Sequence, residues 1–186
     1  MVSIGALWLP ILLSAVLVFV ASSIIHMAFK YHQTDYWRLP DEEAARAALG
    51  KQDLRPGQYV IPYARDMKDL QQPDTMRKFE EGPVAFLTVR ARGPVRMGKA
   101  LTLWFLYSVG ISIFVAYLSG RVLPAGTEYL QVFRVAGTAA WLGYGGAVVW
   151  AGIWKGVPWA SVAKDLFDGL VYALLTAGAF GALWPR

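Results

Sequence analysis

Few side chains in this 186-residue chain can do chemistry in an apolar setting, and three of them share one short stretch. "KDLFD", residues 164 to 168, puts Lys164, Asp165 and Asp168 at the head of a segment otherwise long and apolar enough to cross a bilayer. On a helix that starts at Pro158, with about 1.5 Å of rise per residue, Lys164 and Asp165 lie about 10 Å along the axis and Asp168 about 15 Å. An acid at that depth is costly unless it is paired, faces the interior of a bundle or touches water. Lys164 and Asp168 stand four apart and can pair, though in the less favourable order for a helix. Asp165 is expected to point at a neighbouring helix, where Lys99 or His26 from other span ends can meet it. Two chemistries fit such a group: a polar latch that fixes the register of apolar helices, or a proton or cation site. The latch is the preferred reading, because no second acid lies deep in another span to form a pathway.

The other reactive residue types add little. His26 and His32 are the only histidines, and six residues apart on one helix they point in different directions. Neither a bis-histidine haem nor a metal site within the chain is therefore expected. With no cysteine, disulfides, thiolate metal sites, iron–sulfur clusters and cysteine nucleophiles are all excluded. Neither a nucleophile elbow nor a zincin motif nor a phosphate-binding glycine loop is present, and "GYGG" at 143 to 146 lies inside an apolar run where helix packing explains it. No catalytic residue and no cofactor are assigned, and an enzyme is not expected. Trp104, Trp150, Trp154, Trp159 and Trp184 fall near the expected interfaces, while Trp141 and Tyr144 lie deeper, as core or lipid contacts or as a surface for a pigment, a quinone or a partner helix.

The elements that must position these residues follow from hydropathy. At 56% hydrophobic with eight tryptophans, the chain is too apolar for an ordinary soluble domain. Its net charge of +5 gathers beside apolar segments, as the positive-inside bias requires, so no nucleic-acid partner is expected. Segments 4–25, 100–120, 135–154 and 158–184 each meet the length of about 20 residues needed to cross the hydrocarbon. The expected fold is an all-α, four-helix membrane bundle forming a single domain. The first span lacks a basic leader and is too long for a signal peptide, so it reads as a retained anchor. Arg134 is placed at the start of the third span. Lys30, Arg38, Arg90, Arg92, Arg96, Lys99 and Lys155 flank one side of the spans, against Arg121 and Arg186 on the other. That asymmetry puts residues 31–98 in the cytoplasm and both termini outside.

Residues 31–98 read as a small mixed α/β cap. "LPDEEAARAALG" has the acids and the terminal glycine of a short helix, and "PDTMRKFEEGP" reads as a second, opened by Asp74 or Thr75 and stopped by Gly82-Pro83. "GQYVIPY" and "PVAFLTVRA" have strand composition and can pair as a small sheet.

Small residues recur four apart in three spans: Ser108, Ser112, Ala116 and Gly120; Ala139, Gly143, Ala147 and Ala151; and Gly169, Ala173, Ala177 and Gly181. Such ladders let helix backbones approach closely. They predict a tight bundle of spans two to four, with the first span packed more loosely against it.

The blocks "IHMAFKYHQTDYWRLPDEE", "YVIPYARD", "GPVAFLTV", "MGKALTLWFLYSVGIS" and "FDGLVYALLTAGAFGALWP" resemble those of a family of small bacterial inner-membrane proteins with no assigned activity. The resemblance implies a bacterial source and a single four-span domain; it brings no catalytic residue. The function expected is that of a non-enzymatic structural or accessory subunit, within a respiratory or photosynthetic membrane assembly. Its partners would be the lipid bilayer and other membrane-protein subunits. The alternative is a small proton or cation transporter or channel component that uses the acids at the head of the fourth span.

Overall fold

Apolar runs of span length become helices because a helix satisfies its own backbone polar groups, and this chain forms four helical segments long and apolar enough to cross a membrane. The computed structural model describes residues 1–186. In chain order the helices are α1 (Trp8–Ala28), α2 (Glu42–Gly50), α3 (Met67–Leu70), α4 (Pro73–Glu81), α5 (Met97–Val122), α6 (Tyr129–Gly145), α7 (Val148–Lys155) and α8 (Trp159–Ala182). Two strands, β1 (Gly57–Ile61) and β2 (Ala85–Val89), lie between α2 and α5 in the chain. Two compact units result: residues 1–36 with 96–186, and residues 37–95.

In the first unit α1 packs on α5 and α8, and α6 also packs on α5 and α8, so the four long segments close a ring. Val2 N–H donates to the Gly120 carbonyl at 2.8 Å, and Gly126 N–H to the Pro185 carbonyl at 2.9 Å. Both termini therefore meet the same end of the bundle, where α5 ends and α6 begins. Gly120 is needed there, since a Cβ would stand 2.5 Å from the Val2 carbonyl oxygen. Between the helices run polar ties: Ser14 Oγ to Ser112 Oγ at 2.9 Å, Trp104 Nε1–H to Ser22 Oγ at 2.8 Å, and Tyr107 O–H to the Gly143 carbonyl at 2.9 Å.

The ladders on α5 and α8 face inward: Ser108, Ser112, Ala116 and Gly120 are buried, as are Gly169, Ala173 and Ala177, with Gly181 half-buried. The third ladder does not. In α6 the buried residues are Val132, Ala136, Ala140, Tyr144 and Gly145, while Ala139 and Gly143 are only half-buried and Ala147 is exposed. Small residues occupy both registers of this helix, so composition alone could not choose the face. The helix also breaks at Gly146–Ala147, where the backbone draws so close that a Cβ on Gly146 would lie 2.7 Å from the Leu142 carbonyl oxygen. It begins at Tyr129 rather than near residue 135, which puts Arg134 within the helix instead of at its start. Nor is the first span loosely held: Ile11, Ser14, Ala15, Val18, Ser22 and Ile25 are buried, and their spacing puts them on one face of the helix. Serine and alanine on α1 allow the same close approach as the glycine ladders.

In the second unit, β1 and β2 pair antiparallel with Gly57 opposite Val89 and Ile61 opposite Ala85, forming the expected small sheet. Asp41 caps α2, its Oδ1 accepting from Ala44 N–H at 2.9 Å. Helix α4 opens one residue earlier than Asp74, with Pro73 in its first turn, where a missing donor costs nothing. It ends at Gly82 with φ +65°.

The close approach of α8 to α6 at Gly169 generates a test. A Cβ on Gly169 would meet the Gly145 backbone at 3.1 Å, whereas one on Gly143 would meet the movable end of the Ile111 side chain at 2.9 Å. Gly169→Leu should therefore lose about 1–3 kcal/mol of stability or more, the range for overpacking a tight core, and Gly143→Leu distinctly less. Thermal unfolding in detergent orders the two; equal losses would show that α6 and α8 do not depend on this contact.

Candidate functional site

Asp168 is 4% exposed, nine residues into α8, so its carboxylate must be satisfied from within the protein. The donors come from the segment after α1. That helix stops at Ala28, Phe29 turns extended at φ −89°, ψ 130°, and Tyr31–Asp35 winds into a 3-10 turn laid against the first turns of α8. Tyr31 O–H donates to Asp168 Oδ1, and His32 Nε2 lies 3.0 Å from Asp168 Oδ2. On its other edge His32 Nδ1 lies 2.6 Å from Asp35 Oδ2. The second Asp35 oxygen accepts from Lys164 Nζ at 2.6 Å and from Ser161 Oγ at 2.9 Å. Lys164 Nζ also donates to the Tyr31 carbonyl and to Thr34 Oγ1, each at 2.7 Å. One connected network thus joins the end of α1 to α8.

Its electrostatics follow from these contacts. The Lys164 ammonium, helped by His32 and Ser161 against the opposing effect of burial, holds Asp35 down to about 2. A carboxyl held below its ordinary value stabilises the fold above about pH 4, and that contribution is lost as the pH falls towards 2. Burial alone would pull His32 down, but its hydrogen bonds to Asp35 and Asp168 outweigh it and raise the imidazole above its usual value. Burial and the Asp168 hydrogen bond raise the Tyr31 phenol.

The network differs from the one expected. Lys164 pairs with Asp35, which sequence reasoning did not consider, and not with Asp168. Asp165 is exposed rather than turned to a neighbouring helix, and Lys99 makes no ion pair. Tyr31, Thr34, Asp35 and Ser161 were missed, and His32 was considered only as a ligand and set aside. "YHQTD" carried a signal: a polar turn rich in donors, immediately after one span, opposite the only deep acid of another.

The two histidines are the larger correction. They were expected to diverge on one helix, but the helix ends between them and the chain folds back, so their rings stack 4.7 Å apart and nearly parallel at 8°. His26 Nδ1 lies 3.0 Å from the Ser22 carbonyl. One donor atom from each of His26, His32 and Asp168 lies within 4.8 Å of the other two. Two imidazoles and a carboxylate form a set that first-row transition ions accept.

No protein-family model, curated protein or solved structure matches the chain.

The pairing of Lys164 with Asp35 is open to a double-mutant cycle. Their side chains are 23% and 11% exposed, so the tie is shielded from water more than an ordinary surface pair. Lys164→Met and Asp35→Asn should each lower the melting temperature, and the double variant should lose less than the sum. A coupling of about 0.5–3 kcal/mol is expected for two groups in one hydrogen-bonded network. Additive losses would mean that the two side chains act independently.

Proposed function

We propose that the chain is a multi-pass integral protein of the bacterial inner membrane and serves as a non-enzymatic structural or accessory subunit. The observation that carries this reading is the internal use of Lys164 and Asp168 at the head of α8. Asp168 is held by Tyr31 and His32, and Lys164 by Asp35, Thr34 and the Tyr31 carbonyl, so these charges tie helices together. The outer faces support the same reading. Leu12, Val16 and Val20 on α1, Leu103 and Phe114 on α5, and Leu170 and Leu174 on α8 are exposed, forming apolar surfaces suited to lipid or to other membrane subunits. Trp150, Trp154 and Trp159 are exposed around the α7–α8 turn, where an interfacial aromatic belt would lie.

With both termini at one end of the bundle, an even number of crossings is required. Lys30, Arg96, Lys99 and Lys155 flank the other end, against Arg121 and Arg186 at the terminal one. The bias supports a cytoplasmic 31–98 segment with both termini outside.

One observation favours a second reading, a proton or cation pathway. Asp168 connects through His32 to Asp35, a carboxylate with some exposure, and such a chain of titratable groups resembles a relay.

Two measurements separate these readings and test the topology. Vesicles reconstituted with the parent protein should show no proton or cation flux above empty controls. Flux in the parent that disappears in Asp168→Asn would establish the pathway instead. In intact cells, a cysteine introduced as Gln71→Cys should resist an impermeant thiol reagent and react after lysis. Labelling before lysis would reverse the orientation.

A further inference from the structure

We propose that His26, His32 and Asp168 form a binding site for one divalent first-row transition ion, of which Zn²⁺ is the representative case. The inference rests on the geometry of this cluster and not on the accessory-subunit reading; an inert subunit and a transporter would take up the ion alike.

Four observations converge. First, the donor atoms come from two separate parts of the chain, the end of α1 with its turn and the third turn of α8, and lie within 4.8 Å of one another. Second, the separation of His32 Nε2 and Asp168 Oδ2, 3.0 Å, is already what two ligands on one ion require. With metal–ligand bonds of about 2.0–2.2 Å, neighbouring ligands stand roughly 2.9–3.5 Å apart. The third donor, His26, must close by on the order of 1 Å and turn its exposed ring out of the near-parallel stack with His32, because a ligating nitrogen needs the ion near its ring plane.

Third, each imidazole has its other nitrogen engaged as in known metal centres. His32 Nδ1 faces the Asp35 carboxylate at 2.6 Å, and His26 Nδ1 faces the Ser22 carbonyl at 3.0 Å. A carbonyl can only accept, so His26 carries its proton on Nδ1 and offers the Nε2 lone pair. A carboxylate or carbonyl behind the ring fixes this tautomer and increases the basicity of the ligating nitrogen. Asp35 is in turn held by Lys164 and Ser161, so the outer contacts are themselves secured.

Fourth, His32 lies between two carboxylates. Neutral imidazole has one N–H and can satisfy only one of them, so either a proton or a cation must occupy the Nε2–Asp168 contact. Binding the ion releases the Nε2 proton to solvent, forms metal–nitrogen and metal–oxygen bonds, and involves no change of oxidation state. Exposure of His26 leaves the cluster open on one side for the ion to arrive and for water to complete its coordination. The mixed nitrogen and oxygen donors favour Zn²⁺, Co²⁺ or Cu²⁺ over Mg²⁺ and Ca²⁺, which prefer all-oxygen sites.

The test uses the full-length, untagged protein in mild detergent after treatment with a chelator. Co²⁺ should bind with a stoichiometry of one ion per chain and develop visible absorption bands that Zn²⁺ abolishes. Calorimetric titration with Zn²⁺ should give the same stoichiometry, and Mg²⁺ should not compete. His26→Ala removes an exposed ring and leaves the Asp35–Lys164 tie intact, so this variant should fold; it should bind Zn²⁺ at least tenfold more weakly. Asp168→Asn should lose more, and Asp35→Asn, which acts through His32, about 10–100-fold. Absence of Co²⁺ bands in the parent would overturn the proposal, as would undiminished Zn²⁺ affinity in folded His26→Ala or Asp168→Asn protein.

Discussion

A carboxylate that cannot reach water must be given donors by the protein, and the structure around Asp168 follows from that requirement. Two donors close to its oxygens, Tyr31 O–H and His32 Nε2, lie outside α8 and more than 130 residues earlier in the chain. To bring them there, α1 must end before its apolar run reaches Lys30, and the next residues must turn back along α8. Lys164 then serves the turn itself. Its ammonium holds the Tyr31 carbonyl, Thr34 and Asp35, which keeps Tyr31 and His32 facing the acid. An ammonium on α8 thereby anchors the segment that neutralises a carboxylate on the same helix.

The same helix must satisfy a packing constraint one residue later. Successive residues on a helix project about 100° apart, so Asp168 and Gly169 face different neighbours. Asp168 turns to the end of α1, and Gly169 to α6, where the Gly145 backbone lies within 3.1 Å of a Cβ built on it. Sliding or rotating α8 to relieve one contact would disrupt the other. Close packing against α6 sets how α8 is rotated, and the polar network sets how far along its axis α1 and its turn engage it. Hydrophobic surface alone would fix neither, since apolar helix faces slide past one another at little cost.

How much of this was legible in the sequence depends on the kind of signal. Four long helical segments follow from apolar runs, and the β1–β2 sheet from aromatic and β-branched composition, because each is a property of local sequence. The inward faces of α5 and α8 were also readable, since only one register of each is consistently small or polar. On α6 two registers were small, and the buried one was decided by its neighbours. The break at Gly146 was not visible in a run of glycines that equally suits continuous helix. At the site, Lys164, Asp168 and His26 could be singled out by type and depth. Their partners could not, because those depend on where α1 stops: extending the helix through His32 separates the histidines, and ending it at Ala28 stacks them.

Charge balance gives the cluster its particular character. With His32 protonated, two carboxylates, Asp35 and Asp168, face two cations, Lys164 and His32, and the buried network is neutral. Such balance is what permits ionised groups away from water. Put a divalent ion where the His32 proton lies, and the same groups carry one excess positive charge. Asp165 then acquires a role that packing does not give it: it is exposed at the margin of the network, within coulombic reach of His26 and His32, and it is the anion able to offset that excess. An acid without a hydrogen-bonded partner is hard to explain as part of a latch closed by a proton. Beside a bound cation it has an electrostatic reason to be there, at the margin of the network.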